Sequence, residues 1–125
     1  MRLLVDTHAL LWFLAASPAL DTEAYAALSR PEHVVKVSAA SVWEVTIKQA
    51  AGKLNAPDDL VAAVEATGFE ALPITLSHAA RAGALPSHHR DPFDRMLVAQ
   101  AQLDGLTVVT RDPVFERYGV ALLPA

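Results

Sequence analysis

Four acidic residues stand where a chain of alternating strands and helices could use them together: Asp6, Glu44, Asp94 and Asp112. Asp6 follows the apolar run Arg2–Val5, and Asp112 directly follows Leu106–Thr110. Glu44 lies about two turns into the helix expected after Val34–Val37. Asp94 falls in the first turn of a helix opening at Pro92. If the strands are parallel, their carboxyl ends share one sheet edge, the place where open α/β sheets bind ligands. Carboxylates crowded there repel and raise one another's pKa values. A divalent cation removes that penalty, and all-oxygen donors suit Mg²⁺ or Mn²⁺ rather than zinc. The shared placement carries this reading, because each acid alone has a structural role. Asp6 can cap the helix that follows it. Glu44 completes a Ser41-x-x-Glu44 capping box and also stands one turn before Lys48. Asp91 and Asp94 both have helix-start spacing, with Asp91 reading best as the cap. Asp112 before Pro113 is an ordinary turn or N-cap residue.

The histidines carry less. His8 either contacts substrate beside Asp6 or faces solvent. Zinc bound through His88 and His89 would need a third ligand at defined spacing, and the sequence offers none. Trp12, Phe13, Trp43 and Phe93 sit among apolar residues and read as core or interface.

The elements that must position the acids follow in order. A strand at Arg2–Val5 has apolar residues on both faces and belongs inside a covered sheet. Thr7 caps a helix at His8–Ala16, and a second helix spans Asp21–Ser29. Val34–Val37 is a β-branched strand. Ser38 caps a helix over Ala39–Ala51 that Gly52 stops. Pro57 opens a helix across Asp58–Thr67, and Gly68 closes it. A strand at Ala71–Thr75 precedes a short helix capped by Ser77. After the loop Leu85–Pro92, Asp91 caps a helix over Phe93–Leu103 that ends at Gly105. Leu106–Thr110 is the clearest strand, and Ala121–Leu123 is a last one. This alternation predicts parallel βαβ units and a three-layer α/β/α sandwich with a mainly parallel central sheet.

The 125 residues read as a single domain across 1–125, and 53% apolar content is enough for a core. There is no cysteine, so disulfide scaffolds and thiolate metal sites are excluded, and a reducing cytoplasmic location fits. The longest apolar run, Ala9–Ala16, is far short of the ~20 residues of a membrane helix. Asp6 interrupts the amino terminus before the apolar core of a signal peptide develops. A net charge of −4 argues against a passive nucleic-acid binder, but not against an enzyme that meets phosphate through a cation.

Leu4-Val-Asp6-Thr-His-Ala-Leu-Leu-Trp12, Ser38-Ala-Ala-Ser-Val-Trp-Glu44-Val-Thr-Ile-Lys48 and Gly52-Lys-Leu54 come first in chain order. His89-Arg-Asp-Pro-Phe-Asp94-Arg-Met-Leu-Val-Ala-Gln-Ala101 and Leu106-Thr-Val-Val-Thr-Arg-Asp112 follow. With these blocks the chain resembles the PIN-domain ribonucleases, specifically the VapC-like toxins of bacterial toxin–antitoxin pairs. The resemblance spans nearly the whole chain, and the Asp-Pro-Phe-Asp-Arg block behind a Trp-Glu helix is its most specific part. It implies a PIN-like fold and maps the family's acidic site onto Asp6, Glu44, Asp94 and Asp112, with Asp91 the rival for the fourth place. It further implies a Mg²⁺- or Mn²⁺-dependent endoribonuclease, an RNA substrate, a homodimer and a VapB-like antitoxin partner that blocks the site. In-line cleavage assisted by the metal would leave a 5′-phosphate and a 3′-hydroxyl. Thr7 and Thr110 stand beside ligands and are placed to orient them. Lys48, Arg90, Arg95 and Arg111 lie near the acids in sequence, to hold RNA phosphates or to balance the carboxylates. The Leu10–Leu14 run and the Trp43 helix offer either a groove for an antitoxin helix or ordinary core.

Rival readings fit less well. A haloacid-dehalogenase-like phosphatase needs a second acid two residues after the first, and here the order is Asp6-Thr7-His8. A receiver domain needs acids clustered earlier in the chain. A PIN-like module that only binds RNA or protein is the alternative outside enzymes.

Overall fold

The computed structural model describes residues 1–125. Strands β1 (Arg2–Val5), β2 (Val34–Ser38), β3 (Glu70–Leu72), β4 (Thr107–Thr110) and β5 (Leu122–Pro124) form one five-stranded sheet in the order β3-β2-β1-β4-β5. Every neighbouring pair is parallel. In register, Leu4 lies opposite Lys36 on β2 and Val108 on β4. The connections carry helices α1 (Thr7–Leu14), α2 (Thr22–Ser29), α3 (Ala39–Ala50), α4 (Leu60–Thr67), α5 (Leu76–Ala84) and α6 (Pro92–Asp104). A 3₁₀ helix spans Pro113–Tyr118.

The two-residue period of a strand divides the core. Leu3, Val5, Val35, Val37 and Val109 face one side, where they pack with Leu10, Ala24, Leu28, Val45 and Val64 from α1 to α4. Leu4, Leu72 and Val108 face the other, against Leu97 and Val98 of α6 and Phe115 of the 3₁₀ helix. The three-layer α/β/α sandwich expected from the alternation is the one observed. No helix is long and apolar enough to cross a membrane.

Several local signals shift by a residue or two, each for a visible reason. Asp6 rather than Thr7 caps α1, because its Oδ1 accepts the Ala9 N–H at 2.8 Å while the Thr7 hydroxyl is turned to Glu44. The first helix stops at Leu14 rather than Ala16, which has a left-handed φ of 49°. The fourth helix starts later than Pro57, with Asp59 as its cap. Strand β3 ends at Leu72 because Pro73 has no N–H for the ladder. Thr75, not Ser77, caps α5 in a reciprocal pair with His78, each accepting the other's N–H at 3.1 Å. The Ser41–Glu44 capping box is absent: Ser38 is the cap, Ser41 is buried inside α3, and Glu44 pairs with Lys48 instead. The opening of α6 is as expected, with Asp91 as cap, Pro92 at the first position, and Gly105 at φ 67° ending it.

Leu4 lies in the central strand and is fully buried. Replacing it with alanine removes most of a side chain from the α5–α6 side of the core. Leu4→Ala is expected to cost about 3 kcal/mol, within the usual ~2–5 kcal/mol for such truncations, with an unchanged denaturant slope in urea unfolding.

Candidate metal centre

The parallel sheet places the carboxyl ends of β1, β2 and β4 side by side; Asp6, Glu44 and Asp112 stand on the segments leaving them, and Asp94 stands at the start of α6, the helix that leads into β4. Asp6 is buried directly after β1. Its Oδ1 caps α1, and its Oδ2 accepts the Thr110 hydroxyl at 2.6 Å. Glu44 is buried on α3, where Oε1 accepts the Thr7 hydroxyl at 2.6 Å and Oε2 accepts Lys48 Nζ at 2.5 Å. Asp94 is half-buried in the first turn of α6. Asp112 follows β4: its Oδ1 caps the 3₁₀ helix through the Val114 N–H at 2.9 Å, and its Oδ2 faces His89. The Thr110 hydroxyl also accepts the Asp112 N–H at 3.1 Å, so one side chain joins the sites of Asp6 and Asp112.

His89 Nε2 lies 2.9 Å from Asp112 Oδ2 and 3.1 Å from Asp94 Oδ2. Donor atoms of His89, Asp94 and Asp112 all lie within 4.8 Å of one another, a spacing that one ion could span. Asp91, the rival for the fourth acid, caps α6: its Oδ1 accepts the Phe93 N–H at 2.8 Å and the Asp94 N–H at 3.4 Å. Asp112 is therefore the one of the two with a carboxylate oxygen turned to Asp94's neighbour His89. The sequence marked His89 only as half of a His88–His89 zinc pair without a third ligand, not as a neighbour of Asp94 and Asp112. The loop before α6 brings it in, and only tertiary structure shows that.

Burial, and after it neighbouring charges, perturb Asp94 and Asp6. Burial pushes the Asp94 carboxyl up to about 7; the Asp91 charge adds to the rise, as do Glu44 and Asp6, while His89 opposes it. Asp6 is also raised, first by burial, with a smaller contribution from Glu44, while the Thr110 hydroxyl and the Ala9 amide pull it down. Lys48 is raised chiefly by its hydrogen bond to Glu44. Burial and mutual repulsion thus penalise the ionised acids, and an oxygen-rich donor set of this kind fits a small divalent cation such as Mg²⁺ or Mn²⁺.

The four basic residues near the acids have different surroundings. Arg95 donates to the carbonyls of Ala82, Leu85, Pro86 and His89 at 2.9–3.3 Å. Arg111 donates to the carbonyls of Ala19 and Ala125 and lies over the Trp12 ring, 4.3 Å from its centroid. Lys48 is paired with Glu44. Arg90 is exposed beside Asp91. His8 is exposed, with its ring 6.1 Å from that of Trp12. The His88 ring packs edge-on to Tyr118.

A carboxyl raised in the folded state keeps its proton where the unfolded chain has already lost it. For Asp94 this gives stability that is fully present below about pH 4 and lost as the pH rises through about 7. In metal-free protein, Asp94→Asn is therefore expected to melt above the wild type at pH 8, with the difference shrinking toward pH 4. Thermal melts across that range check it, and a difference independent of pH would contradict it.

A protein-family model for the PIN domain matches residues 3–121. No curated protein matches the chain. Among solved structures, a chain of DNA-bound VapBC2 from Rickettsia felis superposes with a TM-score of 0.73 at 14% identity, over 99% of this chain and 98% of that one. DNA-bound VapBC from Salmonella typhimurium gives 0.69 at 22% identity over 99% and 98%. VapBC-5 from Mycobacterium tuberculosis gives 0.58 at 21% over 98% and 96%. With the family model covering almost its whole length and the fold agreeing, this chain belongs to the PIN domain family.

Proposed function

We propose that this chain is a VapC-like toxin: a metal-dependent endoribonuclease, one domain across residues 1–125, that acts in the cytoplasm as a homodimer under a VapB-like antitoxin. The convergence of Asp6, Glu44, Asp94 and Asp112 on one edge of a parallel sheet carries the reading. Family membership supports a nuclease, and the likeness to chains of VapBC complexes supports the toxin assignment.

In this reading Asp6, Glu44, Asp94 and Asp112 hold Mg²⁺ or Mn²⁺. The bound ion offsets charge on the phosphodiester and eases ionisation of the attacking water. Thr110 and Thr7 fix the carboxylates of Asp6 and Glu44 by hydroxyl donation, so that ligands stay aimed without the ion. Lys48 balances Glu44. Arg90 is the basic residue best placed to meet an RNA phosphate. Arg95 and Arg111, whose guanidiniums are occupied by backbone carbonyls, serve the site by holding its loops.

The groove expected for an antitoxin helix also takes a narrower form. Leu10 is core, whereas Trp43 is 60% exposed and Ile47, one turn on along α3, is 46% exposed. This pair is the proposed antitoxin contact.

Incubating total RNA with purified chain and Mg²⁺, Mn²⁺ or EDTA tests the activity. Cleavage is expected only with metal and is expected to vanish in Asp6→Asn and Asp94→Asn while far-UV circular dichroism is unchanged. Full activity of metal-loaded Asp94→Asn would overturn the site, and no cleavage under any metal would favour a binding module. For the partner, Ile47→Glu is expected to abolish co-purification of a co-expressed antitoxin without lowering the melting temperature. Retention of the antitoxin would reject that face.

A further inference from the structure

His89 is the one side chain among the acids that the carboxylate reading leaves without a role. Its Nε2 contacts Asp112 Oδ2 at 2.9 Å and Asp94 Oδ2 at 3.1 Å. Its other nitrogen, Nδ1, accepts the Asp91 backbone N–H at 3.2 Å. A nitrogen that accepts an N–H bears no proton, so the ring proton is on Nε2. Toward Asp112, His89 is therefore a donor, while Asp94 lies at ion-pair distance from the same nitrogen. A ligating histidine has the reverse arrangement, with its second nitrogen donating to a carboxylate or carbonyl.

The ring is also held in place. The His89 backbone N–H donates to the Tyr118 hydroxyl at 2.8 Å, and that hydroxyl donates to the Pro86 carbonyl at 2.8 Å. Arg95 reaches four carbonyls of the same loop and the helix before it, His89 among them. Phe115 meets the ring edge-on with centroids 6.2 Å apart. Two elements, the 3₁₀ helix and α6, thus fix a loop whose side chain ends between two acids.

We propose that His89 is a positioning residue that stands in for the cation: its Nε2–H holds the Asp112 carboxylate beside Asp94 in the metal-free chain, and an entering divalent ion takes that Asp112 oxygen from it. The inference deepens the proposed metal centre and rests on it. The hydrogen bond to Asp112 needs only that N–H. Because the loop is clamped, the exchange is a rotation of the side chain rather than a movement of the backbone. The acids are aimed before the ion arrives, and the ion must displace a hydrogen-bond donor to bind.

The test is Mn²⁺ binding by purified, RNA-free chain, followed by loss of the free-ion EPR signal, in the wild type, His89→Ala, His89→Gln and Asp94→Asn. His89→Ala is expected to bind Mn²⁺ about tenfold tighter, the scale of a hydrogen bond to a charged group, and to melt lower without metal. His89→Gln retains an N–H donor and is expected to stay near the wild type in both. Pulsed EPR of Mn²⁺-loaded wild type is expected to show no directly coordinated nitrogen, and this reading stands even if His89→Ala does not fold. Weaker Mn²⁺ binding in His89→Ala, or a nitrogen ligand in the wild type, would make His89 a ligand and overturn the inference alone. An unchanged affinity would reduce it to packing. Wild-type protein that binds Mn²⁺ no better than Asp94→Asn would remove the metal centre and this inference together.

Discussion

Asp6 is held at both oxygens, one by the Ala9 amide that opens α1 and one by the Thr110 hydroxyl at the end of β4. Its own N–H is bonded to the Val109 carbonyl at 3.1 Å. The carboxylate thus joins β1, α1 and β4 at one point, and it does so while buried, where an ionised acid is costly without donors. The same economy of two oxygens recurs at Asp112, which caps the 3₁₀ helix with one and turns the other to His89. The structural and functional readings of these acids are therefore compatible. A cap needs one lone pair, and a carboxylate has several to offer.

Around that point the chain places hydrogen-bond donors against the carboxylates. Thr7 serves Glu44, Thr110 serves Asp6, and His89 serves Asp112. Lys48 is the one ammonium in contact. The Asp94 carboxyl stays elevated all the same, first through burial and then through the charges of Asp91, Glu44 and Asp6. Buried acids of this kind weaken the folded chain on their own, and an ion that bound only the native state would offset that cost. The rest of the fold must supply the difference through its two apolar clusters.

Much of the architecture was legible because it follows from local rules. Apolar runs on both faces of Arg2–Val5 and Leu106–Thr110 require a covered sheet, and strands alternating with helices require crossovers that are parallel. Gly68, Gly105, Asp91 and Pro92 mark their helix ends correctly because each has a conformational or capping reason to be there. The local rules failed where two neighbouring residues could do one job. Asp6 and Thr7 both make good caps, and so do Thr75 and Ser77. The choice fell to the residue whose competitor had a partner or position elsewhere, as Thr7 has in Glu44. Arg95 and Arg111 look like phosphate contacts from their place beside Asp94 and Asp112, but carbonyls distant in sequence claim their guanidiniums.

The sequence by itself determined the layers of the sandwich and the direction of its strands. Periodicity, caps and β-branched runs are properties of consecutive residues. Tertiary structure alone decided what each acid meets. The Asp6–Thr110 bond spans 104 positions, the Thr7–Glu44 bond 37, and the His89–Asp112 contact 23. No periodic signal reaches across such separations. The strand order brings β4 beside β1 and the clamped loop turns His89 inward, so the composition of the site is set by which segments the sheet makes neighbours.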